Sequence, residues 1–64
     1  MVEIGSKWQS SDRDIFIVIN TVELDGKNWV YYRLEKSPIS KEYSCYEESF
    51  VSRFVQFKNH SYQK

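Results

Sequence analysis

Two side chains in this sequence have the chemistry of a covalent catalyst: the thiol of Cys45 and the imidazole of His60, the one cysteine and the one histidine of the chain. A thiol attacks as its thiolate, and a base must be held within hydrogen-bond reach of the proton it takes. His60 falls in "KNHSYQK", a polar run with nothing to anchor it. The pair therefore predicts a half-buried strand thiol and a solvated histidine, not a dyad. Carboxylates come close in sequence twice, at Asp12/Asp14 and at Glu47/Glu48. The first pair brackets the start of an apolar run, and the second precedes a helical turn whose positive end it favours. Neither comes with a cleft. Gly5 and Gly26 are the two glycines, too few for a loop that cradles phosphate. No Cys/His cluster has metal-ligand spacing, so neither a metal nor a cofactor is expected. These residues predict no enzyme.

Recognition chemistry is better represented. "VELDGKNWVYYRLE" (residues 22–35) sets Trp29, Tyr31, Tyr32 and Arg33 almost side by side after a turn. Trp, Tyr and Arg are the types most enriched at binding hot spots. Two further tyrosines, Tyr43 and Tyr46, follow in "EYSCYE". Large aromatics also build cores, so each ring has two readings until its facing is known.

Facing follows from the elements that carry the rings. "DIFIVINTVEL" (residues 14–24) is β-branched and aromatic and predicts a long central strand. Strict alternation places Phe16, Val18 and Val22 on one face and Ile15, Ile17 and Ile19 on the other. Asp25-Gly26 supplies the positive-φ pair of a tight hairpin. "NWVYYRLE" returns as its partner, with Val30, Tyr32 and Leu34 in an inner row and Trp29, Tyr31 and Arg33 in an outer one. The alternation thus predicts Tyr32 in the core and the outer row, over Ile17 and Ile19, at the binding face.

The rest of the chain is short pieces. "GSKWQS" predicts a first strand carrying Trp8, and "SSDRD" a loop. "EKSPISK" is a second loop, because Pro38 has no N–H for a ladder. "EYSCYE" is a short strand. "ESFVSRF" makes a helical or 3₁₀ turn, with Phe50 and Phe54 four apart. "RFVQF" closes as a last strand, Phe54 facing opposite to Val55 and Phe57. Residues 1–58 form one domain, and 59–64 a frayed polar tail.

A domain of 64 residues lies near the lower size limit for folding without disulfide or metal. Its core must come from large side chains, and two Trp, five Tyr and four Phe, 17% of the chain, supply them. Five short strands with one turn before the last predict a mostly β fold, a small five-stranded antiparallel SH3-like barrel. An OB-like barrel is the second choice, and a flat three-stranded sheet with a terminal helix the fallback. Nine basic and nine acidic residues cancel. That balance excludes a DNA mimic and disfavours a protein held to nucleic acid mainly through phosphates. "MVEIGSKWQSS" lacks the basic flank and apolar run of a signal peptide, and no segment is long enough to span a bilayer. A lone thiol fits a reducing compartment, so a cytoplasmic location is expected and the Asn59 "NHS" glycosylation match is chance.

The order "GSKW…DIFIV…VELDGKNWVYYR…EYSC…SFVSRF" resembles small SH3-like barrel proteins of bacteriophages, prophages and bacteria, many of unknown function. They share a Gly-x-x-Trp opening, a tight hairpin into a Tyr-Arg strand, and a Phe-x-x-x-Phe turn, here Phe50 to Phe54 with Arg53. The likeness spans most of residues 5–57 and consists of barrel-building positions. Ser44 and Cys45 stand where bulkier or basic residues are usual. The resemblance implies the fold and a phage origin, and transfers no catalytic or binding residue. With it, the outer row predicts docking on a host protein through Trp29, Tyr31, Arg33, Tyr43 and Tyr46. The alternative partner is single-stranded nucleic acid, stacked on Trp29 and Tyr31 with Arg33 and Lys27 near phosphates. A cage for methylated lysine is a third option.

Overall fold

A computed structural model describes residues 2–37 and 41–57 of the chain. The expectations for Pro38, for His60 and for the 59–64 tail fall outside these residues. The described residues form β1 (Lys7–Gln9), β2 (Ile15–Leu24), β3 (Lys27–Leu34), β4 (Tyr43–Tyr46), α1 (Glu47–Arg53) and β5 (Val55–Phe57). The strands form one antiparallel sheet in the order β4-β3-β2-β1-β5. The expected mostly β architecture, with five strands and a short helix before the last, is what the chain adopts. The expected helical turn is a seven-residue α-helix.

The β2–β3 hairpin is the longest element pair, and its turn is the one the sequence predicts. Asp25 and Gly26 sit at φ 52° and 78°, the left-handed pair that matches the twist of the flanking strands. Along β2 the alternation breaks once. Val18 lies opposite Tyr32, but Asn20 lies opposite Tyr31, which leaves Ile19 as an extra residue in a bulge. A bulge reverses the facing of everything beyond it. Thr21 therefore pairs with Val30 on the inner face, and Val22 pairs with Trp29 on the outer one. The expectation that Val22 shares a face with Phe16 and Val18 is corrected. Asn20 explains the break locally: its Oδ1 accepts from the Thr21 backbone N–H at 2.9 Å, an alternative to ladder bonding.

The inner face carries the core: Trp8, Val18, Val30, Tyr32, Phe50 and Phe54, joined by Val2 from the N-terminal segment. The chain must cross from β4 at one edge of the sheet to β5 at the other, and α1 makes that crossing over the inner face. A helix this short is marginal alone and depends on tertiary packing. Phe50 supplies it, fully buried and 5.0 Å from the rings of both Trp8 and Tyr32. Glu47 and Glu48 lie in its first turn and Arg53 in its last, matching the helix dipole. Trp8 donates its indole N–H to Ser6 Oγ at 2.9 Å, so the buried ring leaves no orphan donor.

Glu47 ties three segments together. Its Oε2 accepts from the Val2 backbone N–H at 2.9 Å and its Oε1 from Asn28 Nδ2 at 2.8 Å. Those two bonds hold its carboxyl below the usual carboxylate range, the Asn28 bond contributing most.

Candidate functional site

The outer face of the sheet is assembled by register. Trp29 stands between Val22 and Tyr46, Tyr31 between Asn20 and Ser44, and Arg33 opposite Ile17. Trp29, Tyr31 and Arg33 are each half-buried, whereas Tyr32 between them is in the core at 5% exposure. The alternation in β3 is therefore as expected. What lies across from the rings is not: the bulge sets Val22 and Asn20, rather than Ile19, opposite Trp29 and Tyr31.

The two tyrosines of β4 separate. Tyr46 pairs with Trp29 and joins the outer face, where the two rings meet edge to face with centroids 4.6 Å apart. Tyr43 pairs with Tyr32. It stacks on that ring at 5.5 Å and lies 6.0 Å from Phe16, at the rim of the core. Residues three apart in a strand face opposite ways. Tyr43 is thus removed from the face that holds Trp29, Tyr31, Arg33 and Tyr46.

Two concavities adjoin that face. A shallow depression of about 380 Å³ is lined by Ile19, Asn20, Val22, Tyr31 and Glu42. A groove of about 400 Å³ lies between the hairpin tip and α1, with Lys27, Tyr46, Glu48 and Val51 on its walls. Lys27 Nζ sits 5.3 Å from the centre of the Tyr46 ring, an intramolecular cation–π contact. Arg33 donates from Nη1 to the Leu34 carbonyl at 2.9 Å, which fixes the guanidinium near the sheet. Lys7, two strands from Arg33 on β1, is ion-paired with Glu35.

Ile19, Asn20, Val22 and Glu42 were not legible as site residues. The available signal was Asn20, a polar residue inside a β-branched run whose side chain competes for backbone bonds. A bulge beside Asn20 puts Val22 on the outer face.

Among the described residues, Cys45 and Glu47 have other neighbours. Cys45 faces inward opposite Val30, and its Sγ lies 3.3 Å from Arg53 Nη2. A guanidinium is always protonated and accepts no proton. The same Nη2 lies 3.5 Å from the Tyr32 hydroxyl. The Tyr32 hydroxyl titrates above the ordinary tyrosine range, first because of burial and then because of Cys45, with Arg53 opposing both. Both oxygens of Glu47 are engaged, as described above. Among the described residues no group of three Asp, Glu, Cys or His side chains is placed to hold a metal, and no helix is long and apolar enough to cross a membrane. Comparison with protein families, with curated proteins and with solved structures returned no match.

Proposed function

We propose that this chain is a non-enzymatic binding module of SH3-like barrel type. In this reading it docks on a partner protein through the outer face bearing Trp29, Tyr31, Arg33 and Tyr46. One observation carries the reading: four side chains of hot-spot type share one sheet face, and one of them, Tyr31, borders a depression lined by Ile19, Asn20, Val22 and Glu42. A small sheet has too little interior for a buried ligand, so a function must sit on a face or a rim. The strand order, with a helix between the fourth and fifth strands, supports the SH3-like assignment. The resemblance to phage and prophage barrels makes the partner a host protein met in the host cytoplasm, with the chain acting as an accessory modulator.

Single-stranded nucleic acid is the weaker partner. Its phosphates need free cations, but Lys27 sits against the Tyr46 ring, the Arg33 guanidinium is bonded to backbone, and Lys7 is neutralised by Glu35. Glu42 borders the depression, and the chain carries no net charge. A methyl-lysine cage is weaker still, since the Trp29 and Tyr46 rings touch each other and leave no gap for a cation.

Affinity capture from host extract tests the proposal, with wild type and a Tyr31→Ala/Arg33→Ala variant as parallel baits. The expected result is a protein retained by wild type in high salt and lost by the folded variant. Equal retention by both baits contradicts the site. Capture of nucleic acid that disappears steeply with salt supports the other partner class.

A further inference from the structure

We propose that the free edge of β5 is a self-association surface, at which two copies of this chain pair β5 against β5 in antiparallel register. β5 is the last strand in the sheet, bonded to β1 on one side, with no further strand beside it among the described residues. An open edge is a template for pairing, and proteins usually blunt it with charges, proline or a bulge.

The other edges of the sheet among the described residues have different surroundings. Where β2 runs past β1, the Thr21 N–H is taken by Asn20 Oδ1. β4 is entered through the charged Lys41 and Glu42 and runs straight into α1. β5 is Val-Gln-Phe, with no charge, proline or bulge. Its two apolar side chains are both exposed, Val55 at 73%, the highest among the described large hydrophobic residues, and Phe57 at 48%. Both lie opposite outward-facing residues, Gln9 and Lys7, while Gln56 lies opposite the buried Trp8.

The segment is self-complementary, and that selects a second copy as the occupant. A two-fold axis at Gln56 sets Val55 of each chain against Phe57 of the other, a β-branched–aromatic pair of the kind that stabilises sheets. The two Gln56 amides meet at the axis, and an amide both donates and accepts. No like charges are forced together: the nearest cation inward on this face, Lys7, is already paired with Glu35. Three residues a side is far below the standard interface of about 1,600 Å², so the dimer is weak and reversible. β4, which carries Tyr46, lies at the opposite end of the strand order. The dimer therefore leaves the proposed docking face open, and either proposal can fail without the other.

Sedimentation equilibrium between about 10 µM and about 1 mM, the range for a small interface, reads the association directly. The expected result is a mass that moves from monomer towards dimer, with β5 amides gaining exchange protection as concentration rises. Val55→Lys/Phe57→Lys and Val55→Glu/Phe57→Glu should each be monomeric with native spectra, because both positions are exposed. Mixing the two variants should restore the dimer, since the register sets position 55 against position 57. A wild type that stays monomeric throughout overturns the proposal, and so does a dimer indifferent to both variants. Concentration-independent protection of those β5 amides that point away from β1 overturns it too, because the edge is then covered within one chain. Assembly beyond the dimer contradicts the closed two-fold pairing.

Discussion

The Trp29 and Tyr46 rings meet edge to face across β3 and β4, with centroids 4.6 Å apart and planes at 88°. This is the arrangement that the ring quadrupoles favour, and it is worth about 0.5–1.5 kcal/mol beyond the area it covers. It joins the last residue of β4 to the hairpin strand and gives the outer face a rigid aromatic corner. A double-mutant cycle on Trp29→Ala and Tyr46→Ala, read by urea unfolding, should return a coupling of about that size. Additivity of the two substitutions would mean that the rings are independent in solution.

Tyr32 and Tyr31 are neighbours in sequence with opposite roles. Tyr32 is packed among the rings of Phe16, Phe50, Phe54 and Tyr43. Truncation of such a residue costs about 3–5 kcal/mol, most of the stability of a domain this small. Tyr32→Ala should be unfolded or nearly so by near-UV circular dichroism, whereas Tyr31→Ala and Arg33→Ala should unfold within about 1 kcal/mol of wild type. A native-like Tyr32→Ala would reverse the facing of β3.

Alkaline stability should depend on the same hydroxyl. Burial raises the Tyr32 pKa in the folded chain, so the native state holds this proton more tightly than the unfolded one. Its contribution is fully present below the unfolded tyrosine value of about 10, and is lost as pH rises through the folded value. Tyr32→Phe lacks this titration. The stability difference between wild type and Tyr32→Phe should be flat to about pH 9.5 and then move in favour of the phenylalanine variant. A difference that stays constant to higher pH would contradict the assignment.

Glu47 should govern the acid side. Asn28 and the Val2 amide lower its pKa, so its contribution is present above the unfolded carboxylate value and is lost as pH falls through the folded one. Wild type should lose stability below about pH 5 more steeply than Glu47→Gln, which has no carboxylate to protonate. Parallel acid unfolding curves for the two proteins would show that the clamp contributes nothing.

The hairpin, the core position of Tyr32 and the Phe50–Phe54 pair were legible because each rests on a local rule. Asp25-Gly26 demands positive φ, alternation sorts β3, and a spacing of four suits a helix. The facing of Val22 was not legible, because one bulged residue at Ile19 shifts the register of everything after it and alternation alone does not reveal it. Proximity in sequence groups Tyr43 with Tyr46, although their spacing of three in a strand sends them to opposite faces. The site was thus readable as a β3 row, while its β2 floor depended on a non-local pairing.

Amide and indole chemical-shift mapping of the isotope-labelled chain, titrated with a protein retained in the affinity capture, tests the proposed docking face most directly. The expected result is a contiguous set of perturbations at the Trp29 indole, Tyr31, Arg33 and Tyr46, spreading to Asn20 and Val22 across the depression. Perturbations confined to α1, Tyr43 or the β5 edge, with the outer face of β3 unchanged, would contradict the account.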